Sequence, residues 1–102
     1  MRHIQLNRPA AAPSPRLARL TGHLQARLLD FGPGGPEIAS FDPDRGLVSA
    51  RFPGHPVQEV LDSLSARGIT AAREQDLAQF WLDPTGRFED LDYLWGCLFE
   101  IL

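Results

Sequence analysis

The sequence predicts an α+β fold: a two-layer sandwich in the order α-β-β-α-β-β-α. About four mostly antiparallel strands form its sheet, and the helices pack mainly on one face. Three observations carry this reading. Residues 46–69, GLVSARFPGHPVQEVLDSLSARGI, spell strand, turn, amphipathic helix, glycine stop and strand. Leu17, Leu20, Leu24 and Leu28 repeat at helical spacing upstream, and Leu91, Leu94, Trp95 and Leu98 do so downstream. Each helix therefore has one apolar stripe, and a stripe of that kind is buried by lying across a sheet.

Taken in order, Met1–Ser14 is polar and proline-rich (RPAAAPSP) and reads as a mobile tail, leaving 15–102 as the folded unit. Ser14-Pro15 is a helix start, with a side-chain oxygen to cap free N–H groups and proline at the first helical position. The first helix is expected over 15–29 and ends before Phe31-Gly-Pro-Gly-Gly-Pro36. Glu37–Phe41 and Leu47–Phe52 read as strands joined by the turn Asp42-Pro-Asp-Arg-Gly46. The second helix follows over about 56–67, with Pro56 in its first turn and Gly68 at its left-handed end. Ile69–Glu74 and Ala78–Leu82 are two further strands, separated by Gln75-Asp76. After the break Asp83-Pro84-Thr85-Gly86, the last helix carries Glu89, Asp90 and Asp92 near its start, where the helix dipole favours acids. Phe80 and Trp81 point to opposite sides of their strand, so both sheet faces carry an aromatic, and the second face is expected to be covered.

Composition narrows the function classes. The chain has 102 residues, 43% of them hydrophobic and 23% charged, which suits one modest core. A formal charge of −3 gives no basic footprint for nucleic acid, although the first 27 residues hold Arg2, Arg8, Arg16, Arg19 and Arg27 and no acid. No run is long enough to span a membrane, and no secretory signal is evident. Cys97 is the single cysteine, which points to a reducing cytoplasm. All ten basic residues are arginine, so no side-chain amine can form a Schiff base.

The order and wording resemble the small C-terminal domain of class V aminotransferases and cysteine desulfurases, the pyridoxal-phosphate enzymes of fold type I. The carriers are the strand GLVSARFPG, the helix HPVQEVLDSLSARG, the strand ITAARE and the acidic closing helix FEDLDYLWGCL, within residues 15–102. The resemblance implies a fold that packs beside a large catalytic domain, in which the Schiff-base lysine and most cofactor contacts lie. It also implies a substrate-carboxylate arginine on the last strand, where this chain has Gln79, and in desulfurases a longer loop with a reactive cysteine, where it has Arg73-Glu74-Gln75-Asp76. A glutamine loses the charged bidentate clamp. The fold is therefore carried over without any functional residue of the family: no catalytic, cofactor-binding or metal residue is assigned, and no cofactor is expected.

The remaining candidates are weak as chemistry. His3, His23 and His55 lie far apart, with His23 on the polar side of the first helix and His55 placed to act as a weak cap. Cys97 sits near the unfavourable end of the helix dipole for thiolate formation. Gly32-Pro-Gly-Gly35 leaves a helix and enters a strand, the reverse of a phosphate loop. The aromatics of the last quarter, Phe80, Trp81, Phe88, Tyr93, Trp95 and Phe99, are the candidate interface. The expected function is that of a stand-alone, non-catalytic domain acting through a homodimer or a partner chain. The alternatives are a separately encoded subunit completing a split pyridoxal-phosphate enzyme, or a small-metabolite regulatory module for which no residue nominates a ligand.

Overall fold

The computed structural model describes residues 3–102. Its elements are β1 (Ile4–Leu6), α1 (Pro15–Leu29), β2 (Glu37–Asp42), β3 (Leu47–Arg51), α2 (Val57–Ala66), β4 (Ile69–Glu74), β5 (Leu77–Trp81) and α3 (Phe88–Ile101). The α+β class and the seven expected elements are present. Local signals explain their bounds. Ser14 Oγ accepts from the Leu17 amide at 3.1 Å and starts α1. Gly68, at φ 84°, takes the left-handed position just past α2. Pro56 stands at the cap of α2 rather than in its first turn, and no side chain caps that helix, so His55 does not do so.

The sheet departs from the expectation. It has five strands in the order β1-β4-β5-β3-β2, not four, and it is mixed. The extra strand lies within the stretch read as a tail. β1 runs parallel to β4, with Ile4 opposite Ile69 and Leu6 opposite Ala71, and the Ile4 amide donates to the Gly68 carbonyl at 2.7 Å. Three residues are too few for a period-2 signal to stand out beside a proline-rich run, which is why the strand is missed. Yet Ile4 and Leu6 are 7% and 5% exposed and belong to the core. Met1 and Arg2, also within that tail, lie outside the described residues.

The other pairings are antiparallel: β2 with β3, β3 with β5, and β5 with β4. A bulge between Ile38 and Ser40 adds one residue to β2. Register puts Val48 opposite Phe80 and Ala50 opposite Ala78, and these four, all fully buried, face the helices. α1 lies over β2 and β3, α2 over β4, and α3 packs against both α1 and α2. Gly46, at φ 72°, closes the β2–β3 turn under α1. A Cβ there would stand 2.8 Å from Leu17 Cδ1 and 3.0 Å from the Leu82 carbonyl oxygen.

Among the described residues, no helix lies on the opposite sheet face. Ser49, Gln79, Trp81 and Ala72 point that way from β3, β5 and β4. The expected cover is supplied in part by side chains: the Arg45 guanidinium lies 5.4 Å from the Trp81 ring centroid, and Trp81 Nε1 donates to Gln79 Oε1 at 3.4 Å.

Candidate interaction site

The six aromatics named by the sequence do not form one surface. Phe80 is 0% exposed and fills the core between sheet and helices, so it leaves the candidate interface. An inward-facing position on β5, paired with Val48 on β3, places it there. Trp81, one residue on, emerges on the open sheet face. Phe88 begins α3 and meets α1, edge-on to His23 at 5.1 Å and 5.6 Å beneath the Arg16 guanidinium. Tyr93 turns to the other side of α3, where its hydroxyl donates to the Arg67 carbonyl at 2.8 Å and helps close α2.

Trp95 and Phe99 do come together, and Phe31 completes the group. Phe31 stacks on Phe99 at 4.6 Å, and Trp95 meets Phe99 edge-on at 4.8 Å. The Arg27 guanidinium covers the Trp95 ring at 5.0 Å. Phe31 escapes a reading of the last quarter because it lies just past the end of α1. The available signal is its place after a helix stop, where an apolar residue commonly folds back onto the helix end. Phe99, 55% exposed, is the most open ring of this cluster, whose other two rings are partly buried. From typical aromatic side-chain areas the open area of the cluster amounts to roughly 200 Å², against about 800 Å² per partner in a standard interface. The cluster chiefly joins the ends of α1 and α3.

The charged residues likewise serve α1–α3 packing. His23 Nε2 lies 2.8 Å from Asp92 Oδ1, and Arg27 Nε donates to the same oxygen at 3.0 Å. The hydrogen bond from His23 above all, opposed by burial and aided by the hydrogen bond and charge of Arg27, holds the Asp92 carboxyl below the usual carboxylate range. His23 thus takes a structural partner. Cys97 is buried in the core. Among the described residues, no three His, Cys, Asp or Glu side chains are grouped to hold a metal ion, and no helix is long and apolar enough to cross a membrane. Gln79, where the resemblance places a carboxylate-binding arginine, lies on the open sheet face and donates to Glu74 Oε2 at 3.2 Å. It offers a substrate carboxylate no cation.

A cleft of about 580 Å³ opens between β1, α1, the 83–87 loop and the first turn of α3. Arg16 fixes that loop, donating through Nε to the Pro84 carbonyl at 2.9 Å and through Nη2 to the Gly86 carbonyl at 2.8 Å. Asp83 accepts from both the amide and the hydroxyl of Thr85, first of all the hydroxyl, and its carboxyl is lowered accordingly.

A five-stranded mixed sheet with two helices laid over it and a third packed against both defines the chain as a small α+β domain. Its likeness to known proteins is one of fold. No protein-family model matches it, and no curated protein does. Among solved structures, a NIFS-like protein is similar over 84% of this chain and 27% of its own, with a TM-score of 0.70 and 19% identity. Glycine decarboxylase (P-protein) of the glycine cleavage system, in inhibitor-bound form, is similar over 88% of this chain and 21% of its own (TM-score 0.66, 26% identity). A structure from the directed evolution of transaminases by ancestral reconstruction is similar over 81% and 21% (TM-score 0.63, 17% identity). This chain thus spans about a quarter of each, and the resemblance to a small domain of these enzymes, read from the sequence, holds at the level of fold.

Proposed function

We propose that this chain is a non-catalytic small-domain module that works through protein contacts, in the cytoplasm, by self-association or by docking to a partner chain. The observation that carries the reading is the open sheet face. An antiparallel sheet tolerates water on one side when that side is polar. Here Trp81, Leu47 and Ala72 stand on it, each partly exposed, beside Gln79 and the buried Ser49. The Phe99 cluster, too small to hold a partner by itself, is a second point of attachment.

Pyridoxal phosphate does not fit the residues present. The sequence has no lysine, and Gln79 stands where the resemblance places an arginine. That chemistry supports the non-catalytic reading. A split enzyme, with this chain completing a site whose lysine lies on another chain, is the second reading, supported by the enzyme neighbours in fold space.

Size-exclusion chromatography with light scattering tests the first reading. The chain is expected to elute as a dimer in the micromolar range, and Trp81→Glu is expected to give a folded monomer, with its fold checked by circular dichroism. A chain that stays monomeric at high micromolar concentration defeats self-association, and one that gains no cofactor absorbance when mixed with a separately made large domain defeats the split-enzyme reading.

A further inference from the structure

The cleft beside β1 carries an inference that is independent of the open sheet face. At about 580 Å³ it lies within the size range of small-molecule sites. Its floor is apolar, with Leu6, Leu20 and Leu91 all at 5% exposure or less. Its mouth carries both signs of charge, and these charges are not equivalent. Arg87 faces acids of its own helix, with Nη2 3.7 Å from Asp90 and Nη1 3.8 Å from Glu89. Among the described residues Arg8 and Asp83 have no such neutralisation: Arg8 is exposed and makes no ion pair, and the bonds of Asp83 come from the uncharged donors of Thr85. Those bonds favour the ionised form of Asp83, while Arg16 fixes the loop that bears it. An apolar floor flanked by one uncompensated cation and one uncompensated anion is complementary to a molecule with the same three features.

We propose that this cleft binds a small dipolar organic molecule, its anionic group on Arg8, its cationic group on Asp83 and its apolar body on Leu6, Leu20 and Leu91. Neither charge of the ligand is then left without a counterpart, and the hydrocarbon between them leaves water.

Three probes of one length separate the contributions: 6-aminohexanoate, hexanoate and hexylamine, titrated into the isotope-labelled full chain at neutral pH and read by amide chemical shifts. 6-Aminohexanoate is expected to move the amides of Thr85, Gly86, Arg87 and Leu91 saturably, and to bind about fivefold more tightly than either singly charged probe, the worth of one partly exposed charge pair. Arg8→Ala is expected to bring 6-aminohexanoate down to the affinity of hexylamine and to leave hexylamine unchanged. Arg19→Ala, an exposed arginine outside the cleft, is expected to change nothing. Equal affinities for the three probes, an equal effect of the two arginine variants, or no shift at these amides at millimolar concentration overturns the proposal. A monomeric chain that still binds 6-aminohexanoate in this way defeats self-association and leaves the cleft proposal standing.

Discussion

Gly46 shows how much one residue can decide. Its φ of 72° lies in the left-handed region, and a Cβ would press on Leu17 and on the Leu82 carbonyl oxygen. The Leu82 amide also donates to the Gly46 carbonyl at 2.8 Å, so the backbone has little room to move. Gly46→Ala is therefore expected to lower unfolding free energy by about 1–3 kcal/mol in chemical denaturation; a loss under about 0.5 kcal/mol would mean that the turn relaxes freely. The glycine is legible in the sequence as a turn residue. Its close approach to α1 is not, because Leu17 is distant in sequence and meets it only in the folded chain.

At the scale of elements, α1 and α3 are joined by the His23, Arg27 and Asp92 group and by the rings of Phe31, Trp95 and Phe99. Asp92 has a folded-state pKa below its unfolded value, so its contribution is fully present above about pH 4 and fades as pH falls through the lowered folded value. The side chains are about a quarter to a half exposed, and solvent screening limits the contribution. Asp92→Asn is expected to cost about 0.5 kcal/mol at pH 7, with the two stability curves converging near pH 2. A gap that stays constant down to pH 2 would show that packing, not charge, is lost. The start of α1 gives a second element-scale test: Ser14→Ala removes the acceptor for the Leu17 amide and is expected to cost about 1 kcal/mol in urea titration. Helix bounds are legible here because caps and stripes are local. The partners of Asp92 are not, since residues 23 and 92 are neighbours only through packing.

For the molecule as a whole, the decisive correction is β1. A stretch that reads as a tail supplies an edge strand, two core side chains and one wall of the cleft. Leu6→Ala is expected to destabilise the chain by about 2–3 kcal/mol, the usual result for a buried leucine. A thermal midpoint unchanged from that of the parent chain would show that 4–6 detach without consequence, and the cleft would lose its wall. The candidate site is only partly legible at this scale. Trp81 and Phe99 are indeed partly exposed, but Phe80 is interior and Phe88 and Tyr93 close helix contacts instead. An aromatic run reveals that area is available for burial and leaves open which rings meet each other.

The sequence by itself determined the α+β class, the three helices, four of the five strands and the resemblance to a pyridoxal-phosphate enzyme small domain. It could do so because stripe periodicity, caps and turn residues are written within a few neighbouring positions. Only the tertiary structure decided the fifth strand, the bare sheet face, the Phe31–Trp95–Phe99 cluster and the cleft between Arg8 and Asp83. Each of those joins segments far apart along the chain, and no local pattern states which distant segments will share a buried surface.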